Sequence, residues 1–194
     1  IAAQVASAIR NARLFEEKVR ALRNLEILQE ITNVLNSDLE LDALIDRIAR
    51  RSVDAVRPAQ MGAVLLFHED TLVVRSSFGY QHPEALAAVR LAFHEGLPGS
   101  VFVSGQGRLV RCGPEDYGGH RDTFQAAAGG RGRESALCVP ISLPQEKLGV
   151  LLLESATAPD AFDLEDLKFA TTLAHQAAIA IGNALRLRRI LEMD

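Results

Sequence analysis

This sequence is short of the residues that build covalent or metal-held frameworks. It has two cysteines, Cys112 and Cys138, and no CxxC pair. That excludes a disulfide scaffold and suits a reducing compartment, so a cytoplasmic location is expected. Long apolar runs are missing too. The longest, residues 62–67 and 149–153, are far too short to span a bilayer, which argues against direct membrane insertion. No basic start followed by an apolar stretch marks a secretory leader. Nor is there an excess of positive charge: 21 Lys and Arg stand against 25 Asp and Glu, a net charge of -4. This gives no general attraction to nucleic acid or anionic membranes, and no basic helix or stripe tracks a phosphate backbone.

What the chain does have is a repeat. Its 194 residues, 48% apolar and 24% charged, fit one soluble domain with an appendage. Residues 1–15 (IAAQVASAIRNARLF) and 173–187 (LAHQAAIAIGNALRL) agree at seven of fifteen positions, Gln4/Gln176 and Asn11/Asn183 among them. Both copies carry a stripe with alternating steps of four and three. One runs Ile1, Val5, Ala8, Ala12, Phe15, Val19, Leu22; the other Leu173, Ala177, Ala180, Ala184, Leu187, Leu191. Such steps keep one seam facing a partner helix, so a homodimer joined through these helices is expected, parallel or antiparallel. A helix that buries one face on its own domain gives the same spacing in the central turns. The chain starts at Ile1, in mid-pattern, and reads as a piece of a longer protein. If the second copy closes a domain, the first closes an earlier, similar one. Residues 1–24 are then the last helix of a preceding domain with a connecting coiled-coil helix, and 25–194 a complete second domain.

Between the copies, Ser37 and Glu40 have capping-box spacing for a helix carrying Leu41, Leu44, Ile45, Ile48 and Val56 on one face and ending before Pro58. Residues 60–67 and 71–77 read as an antiparallel hairpin turning at His68-Glu69-Asp70. Pro83 opens a short helix through about Leu91. A turn and short helix follow at 94–103, closed by Gly105 and Gly107, and then a strand at 109–112. Residues 113–134 read as a long polar loop of the functional or mobile kind. Strands at 135–143 and 147–154 close the sheet, and a final helix starts within 159–163. The predicted class is α+β: an antiparallel sheet with helices on one face, and long signalling helices at both ends.

Six stretches in this order carry a family resemblance: LELDALIDRI (39–48), EGLPGSV (95–101) with 107–110 after it, RESALCVPI (133–141), LGVLLLES (148–155), FDLED (162–166) and the terminal IGNALRL. Together they resemble a GAF domain from about residue 25 to 191, and residues 1–15 resemble the end of a preceding copy. The resemblance implies a PAS-like fold that holds a small ligand between the sheet and the loop-plus-short-helix side, or dimerises and relays. It also implies flanking GAF-like and effector domains in a bacterial signalling protein, such as a sensor histidine kinase of a two-component system. By position, the pocket residues would be Phe78, Val101, Phe102, Arg111, Asp116, Phe124, Ser135 and Cys138.

The ligand has no matching motif. The Asn-Lys pair of cyclic-nucleotide GAF domains is absent, and neither cysteine has the adjacent His of bilin-binding relatives. Five scattered His residues form no haem pattern. Cys112, Asp116 and His120 lack paired zinc spacing, so no metal is expected. One GAF branch reduces free methionine sulfoxide with cysteines, but its third cysteine is missing here, and the chain is not expected to be an enzyme. Residues 108–133 hold five Arg (108, 111, 121, 131, 133) against Glu115, Asp116 and Asp122. That excess beside the expected pocket points to a small anionic ligand. A pocketless dimerisation spacer is the alternative, and a fully filled apolar interior would favour it. The cofactor, if any, is left open.

Overall fold

The computed structural model describes residues 38–191. The expected seam positions Val5, Ala12, Phe15, Val19 and Leu22, and the whole expected first domain (1–24), lie outside the described residues, as does the side chain of Leu191.

Helix α1 (Asp38–Ala55) buries Leu41, Ile45, Ala49 and Val53, one residue per turn along a single stripe. Strands β1 (Met61–His68) and β2 (Thr71–Phe78) form the hairpin. Glu69 and Asp70, at its tip, both have positive φ (46° and 61°), the two-residue geometry that matches the right-handed twist of the flanking strands. The expected helix from Pro83 to Leu91 is only one 3-10 turn, Pro83–Leu86. Leu91 instead lies in β3 (Arg90–Ala92), opposite Leu72. Val89 and Leu91 are buried with Arg90 exposed between them, an alternation only a strand provides.

Helix α2 (Gly96–Ser104) is ended by Gly105 in the left-handed conformation, φ 68°. Strand β4 (Arg108–Arg111) follows. The stretch read as a loop then folds into a 3-10 segment, Pro114–His120, and helix α3 (Arg121–Ala127). Strands β5 (Ser135–Leu143) and β6 (Glu146–Ser155) form the second hairpin, and α4 (Leu164–Leu191) closes the described chain. Asp163 caps α4 reciprocally: Asp166 N–H donates to Asp163 Oδ1 (2.9 Å) and Asp163 N–H to Asp166 Oδ2 (3.0 Å).

The sheet has the order β3-β2-β1-β6-β5-β4, every pair antiparallel. Unlike the expectation, helices cover both faces. On one face lie α1 and α4: Val53 sits over Gly62, and Leu167 reaches Val139 beside Gly107. Most buried α4 positions are small, Ala170, Ala174, Ala177, Ala178 and Ala184, with Ile181 the large buried side chain among them, and this brings the helix close to β5. Helices α2 and α3 cover the other face, over Met61, Ala63, Leu65, Leu72, Ala136, Cys138, Val150 and Leu152. The even positions of β5 and β6 therefore point to α2 and α3 and the odd ones to α4. No helix among the described residues is long and apolar enough to cross a membrane.

Candidate functional site

The α2/α3 face is apolar except at one end, where β6 places Glu154 with 0% exposure. Its two carboxylate oxygens are claimed from different directions. Tyr80, just after β2, donates its hydroxyl to Oε2. Tyr117, from the 3-10 segment, donates to Oε1. Gly79 brings Tyr80 here by turning the chain with φ 83° against the Gln60 carbonyl, where a methyl group would not fit.

The fourth member is Arg133, immediately before β5. Its side chain is 3% exposed, and its Nη1 lies 3.5 Å from Glu154 Oε1. The guanidinium carbon stands 3.9 Å over the Tyr117 ring and 5.6 Å from that of Phe124. Nη2 donates to the Arg121 carbonyl at 3.3 Å; among the described residues Nε finds no acceptor, and Nη1 has only the longer contact to Glu154. Cys112 completes the group, with its Sγ 3.2 Å from Tyr117 Oη.

Burial dominates the electrostatics. It pushes the Glu154 carboxyl above its usual range, while Arg133 and the two phenols pull it back. Burial also raises both tyrosines, with the Glu154 charge adding to it. The Cys112 thiol is pushed up to about 11, chiefly by burial, and so stays protonated at neutral pH. Cys138, fully buried in β5, is raised further by the same cause.

The structure brings together only part of the expected pocket. Phe124 packs 5.1 Å from the Tyr117 ring, and Cys138 lies in the same core face. Val101 and Phe102 belong to that core too, farther along α2; Phe102 stacks on Phe67 at 4.8 Å. Asp116 is on the covering segment, but its carboxylate is used on the Gly113 N–H (2.6 Å). Phe78 faces the other way: Arg50 of α1 stands 4.4 Å over its ring. Arg111 and Ser135 line a separate crevice of about 170 Å³ with Pro159 and Phe162. Of the expected α4 seam, Ala177 and Ala184 are buried in this domain, while Leu173, Ala180 and Leu187 are half-buried.

No group of three or more His, Cys, Asp or Glu among the described residues could hold a metal. Cys112, Asp116 and His120 have separate partners: Tyr117, the Gly113 amide and the Arg90 carbonyl. The sequence reading passed over Tyr80, Tyr117 and Glu154. The two tyrosines are the only ones in the chain, a signal that was present but carried no motif.

The comparisons agree with this architecture. The GAF domain family model matches residues 38–182. The DNA-binding transcriptional activator HyfR of Escherichia coli is 28% identical, over 92% of this chain and 28% of its own length. The chain spans less than a third of the length of the curated relatives it matches. The GAF domain of a phosphoenolpyruvate-protein phosphotransferase from Coxiella burnetii superposes with a TM-score of 0.65 at 25% identity, covering 84% of this chain and 94% of that one. The free methionine-R-sulfoxide reductase from Neisseria meningitidis, solved with its substrate, has a TM-score of 0.58 at 18% identity, over 80% of this chain and 86% of that one, a likeness of fold alone.

Proposed function

Because the chain belongs to the GAF domain family, we propose that it is a regulatory input domain whose ligand is a small oxyanion, such as a carboxylate, seated on Arg133. One observation carries this reading. A guanidinium 3% exposed has no acceptor for Nε and holds Nη1 only at 3.5 Å from Glu154, a carboxylate already served by two phenols. Unmet buried donors are costly, and the missing partner is an acceptor. Arginine is the side chain best suited to a planar oxyanion in a desolvated setting.

The response would pass through β5. Arg133 stands at its start, and its odd positions Leu137, Val139 and Ile141 face α4. An anion that shifts Arg133 changes the seating of β5 under that helix, and its effect is limited to the difference in affinity for the two arrangements. The output of this relay would be an effector domain of the whole protein, such as a histidine kinase, reached through α4. Two copies would pair through the exposed side of α4, where Phe169 and Ile179 are 46% and 47% exposed.

The spacer reading draws on the fact that Tyr117 fills the space above Glu154. What it covers is a buried Arg133–Glu154 pair and not apolar side chains, so the arrangement brings a desolvation cost a plain spacer has no reason to carry. Sulfoxide reduction is disfavoured by the thiols: Cys112 is raised to about 11 and Cys138 is fully buried. The test is the Arg133 Nε–H resonance in labelled protein, titrated with acetate and succinate, beside native mass spectrometry for a co-purified anion. The expected result is a saturable shift that Arg133→Gln abolishes. No shift and a clean native mass would overturn the reading. In a full-length parent, Ala184→Pro should break regulation while leaving anion binding intact, since proline interrupts α4.

A further inference from the structure

The segment over the Arg133–Glu154 pair is attached in a way that its own sequence does not require. Residues Pro114–His120 hold Tyr117, whose side chain is the only part of the segment fixed from below. From the side, the segment is fixed by Glu95, at the start of α2. Glu95 Oε1 accepts the Gly119 N–H at 2.7 Å, and Oε2 accepts the Ala92 N–H at 3.2 Å, so one carboxylate joins the segment to the end of β3. Two further features suit this join. Gly118 adopts φ 54°, ψ -137°, a conformation for glycine, and a methyl group there would strike the Glu95 carboxylate. Gly96 lets the Asp116 carbonyl approach so closely that a Cβ would lie 2.6 Å from it. His120 Nε2 adds a contact at 3.0 Å to the Arg90 carbonyl. Asp116 closes the other end on Gly113, so the segment is internally tied and bounded by glycines at 113, 118 and 119.

We propose that residues 113–120 form a lid that opens as a unit, with Glu95 as its latch and Tyr117 as the plug it carries. When the lid lifts, Tyr117 leaves Glu154 and the face of Arg133, and the donors above become reachable. Closure restores both contacts. Access is then set by Glu95, which touches none of the four buried groups. That the opened space receives a ligand rests on the anion reading above; the lid itself does not.

Cys112 reports on the lid without any ligand. Its thiol lies against Tyr117 Oη, and its main-chain N–H is held by the Glu134 carbonyl, so it stays behind when the lid moves. Cys138, with 0% exposure in β5, reports global unfolding. The experiment is alkylation of the native chain by iodoacetamide, with each cysteine read by peptide mass spectrometry, in wild type, Glu95→Gln and Glu95→Ala. Losing charge-assisted hydrogen bonds should raise the opening equilibrium roughly tenfold or more, and the Cys112 rate follows it while closing outruns alkylation. The expected result is that rise at Cys112, larger for Ala than for Gln, with Cys138 unchanged. An unchanged Cys112 rate overturns the latch. Equal acceleration of both cysteines overturns the lid, because whole-domain unfolding would then be the route. Native-state hydrogen exchange on wild type covers the case of variants that do not fold. Tyr117 and Gly119 amides exchanging well before those of β5 and β6 support the lid, and exchange together with them refutes it.

Discussion

Removing the charge of Glu154 while keeping its shape is the sharpest perturbation of the buried cluster. In Glu154→Gln the carbonyl oxygen still accepts one phenol, and the other phenol must turn to accept from the new amide. Arg133, 3% exposed and with its only carboxylate partner neutralised, is left as a buried cation. Breaking such a pair from one side costs about 3–5 kcal/mol. At about 2–4 °C per kcal/mol for a domain of this size, the melting temperature should fall by roughly 6–20 °C. The reciprocal variant, Arg133→Met, behaves differently because a carboxyl can take up a proton and a guanidinium cannot shed one. Glu154 is already raised by burial, and losing Arg133 removes the main influence that lowers it. A carboxyl whose folded pKa lies above its unfolded value contributes stability below the unfolded pKa and loses it as pH rises through the folded one. The Arg133→Met penalty should therefore grow with pH, and the Glu154→Gln penalty should shrink, because the wild type itself loses stability as the raised Glu154 ionises and glutamine does not titrate. The double variant should recover much of the loss, since no charge remains unpaired. Urea unfolding of the four proteins across pH 5 to 9 reads all three effects. A loss below about 1 kcal/mol for Glu154→Gln, or strict additivity in the double variant, would show that the pair is not coupled as its geometry requires.

Three other outcomes follow from named contacts. Tyr117→Phe removes one phenol donor from the buried carboxylate and the partner of the Cys112 thiol, and should cost about 1.5–3 kcal/mol in urea unfolding. Gly149→Ala would drive a methyl group into the Leu65 carbonyl between β6 and β1, so about 1–3 kcal/mol or more should be lost, seen as a lower melting temperature with an unchanged Glu154 cluster. Acid should release the latch. The Gly119 N–H, then the Ala92 N–H, hold Glu95 below its usual range, and the imidazoles of His120 and His94 add to this. A depressed carboxylate gives stability above its unfolded pKa that is lost as pH falls through the folded value. A pyridyl disulfide, which still reacts with thiols in acid, should then label Cys112 faster in wild type but not in Glu95→Ala as pH falls below the ordinary carboxylate range.

The strands were legible because their signals are local. Val73 and Val74, the His68-Glu69-Asp70 turn and the Pro144-Gln145-Glu146 turn mark both hairpins within a residue or two of their observed ends. The misread elements depend on tertiary partners. Arg90 to Ala92 become strand because Leu72 and its neighbours present an open edge, and no periodicity in 83–91 announces that edge. Residues 113–134 read as loop because Gly118, Gly119, Gly129 and Gly130 dilute any helical pattern; Tyr117 and Phe124 convert part of it to helix by packing on each other and on Arg133. The residues of the expected pocket scatter for a related reason. Nearness in the chain to expected pocket elements does not tell which face of the sheet each residue takes. Ser135 and Cys138 both lie in β5, yet Ser135 lines the crevice with Phe162 while Cys138 belongs to the core beneath α2 and α3. Arg133 was visible only as one of five arginines.

The same alternation bears on the proposed relay, in which one face of the sheet would receive and the other transmit. Residues of β5 point by turns to the lid side and to α4, so whatever moves the strand at Arg133 is felt at Leu137, Val139 and Ile141. The helix they support is seated mainly by alanines, with Ile181 as its large buried side chain, so most of the α4 contact is close and shallow. A close, shallow contact shifts at lower cost than one built from large interdigitated side chains. The other side is built oppositely: Tyr80, Tyr117, Glu154 and Arg133 are held by directional bonds that are either made or broken. A two-state polar cluster at the start of a strand, and a small-residue interface along it, form the kind of bistable element through which a small anion could bias a long helix.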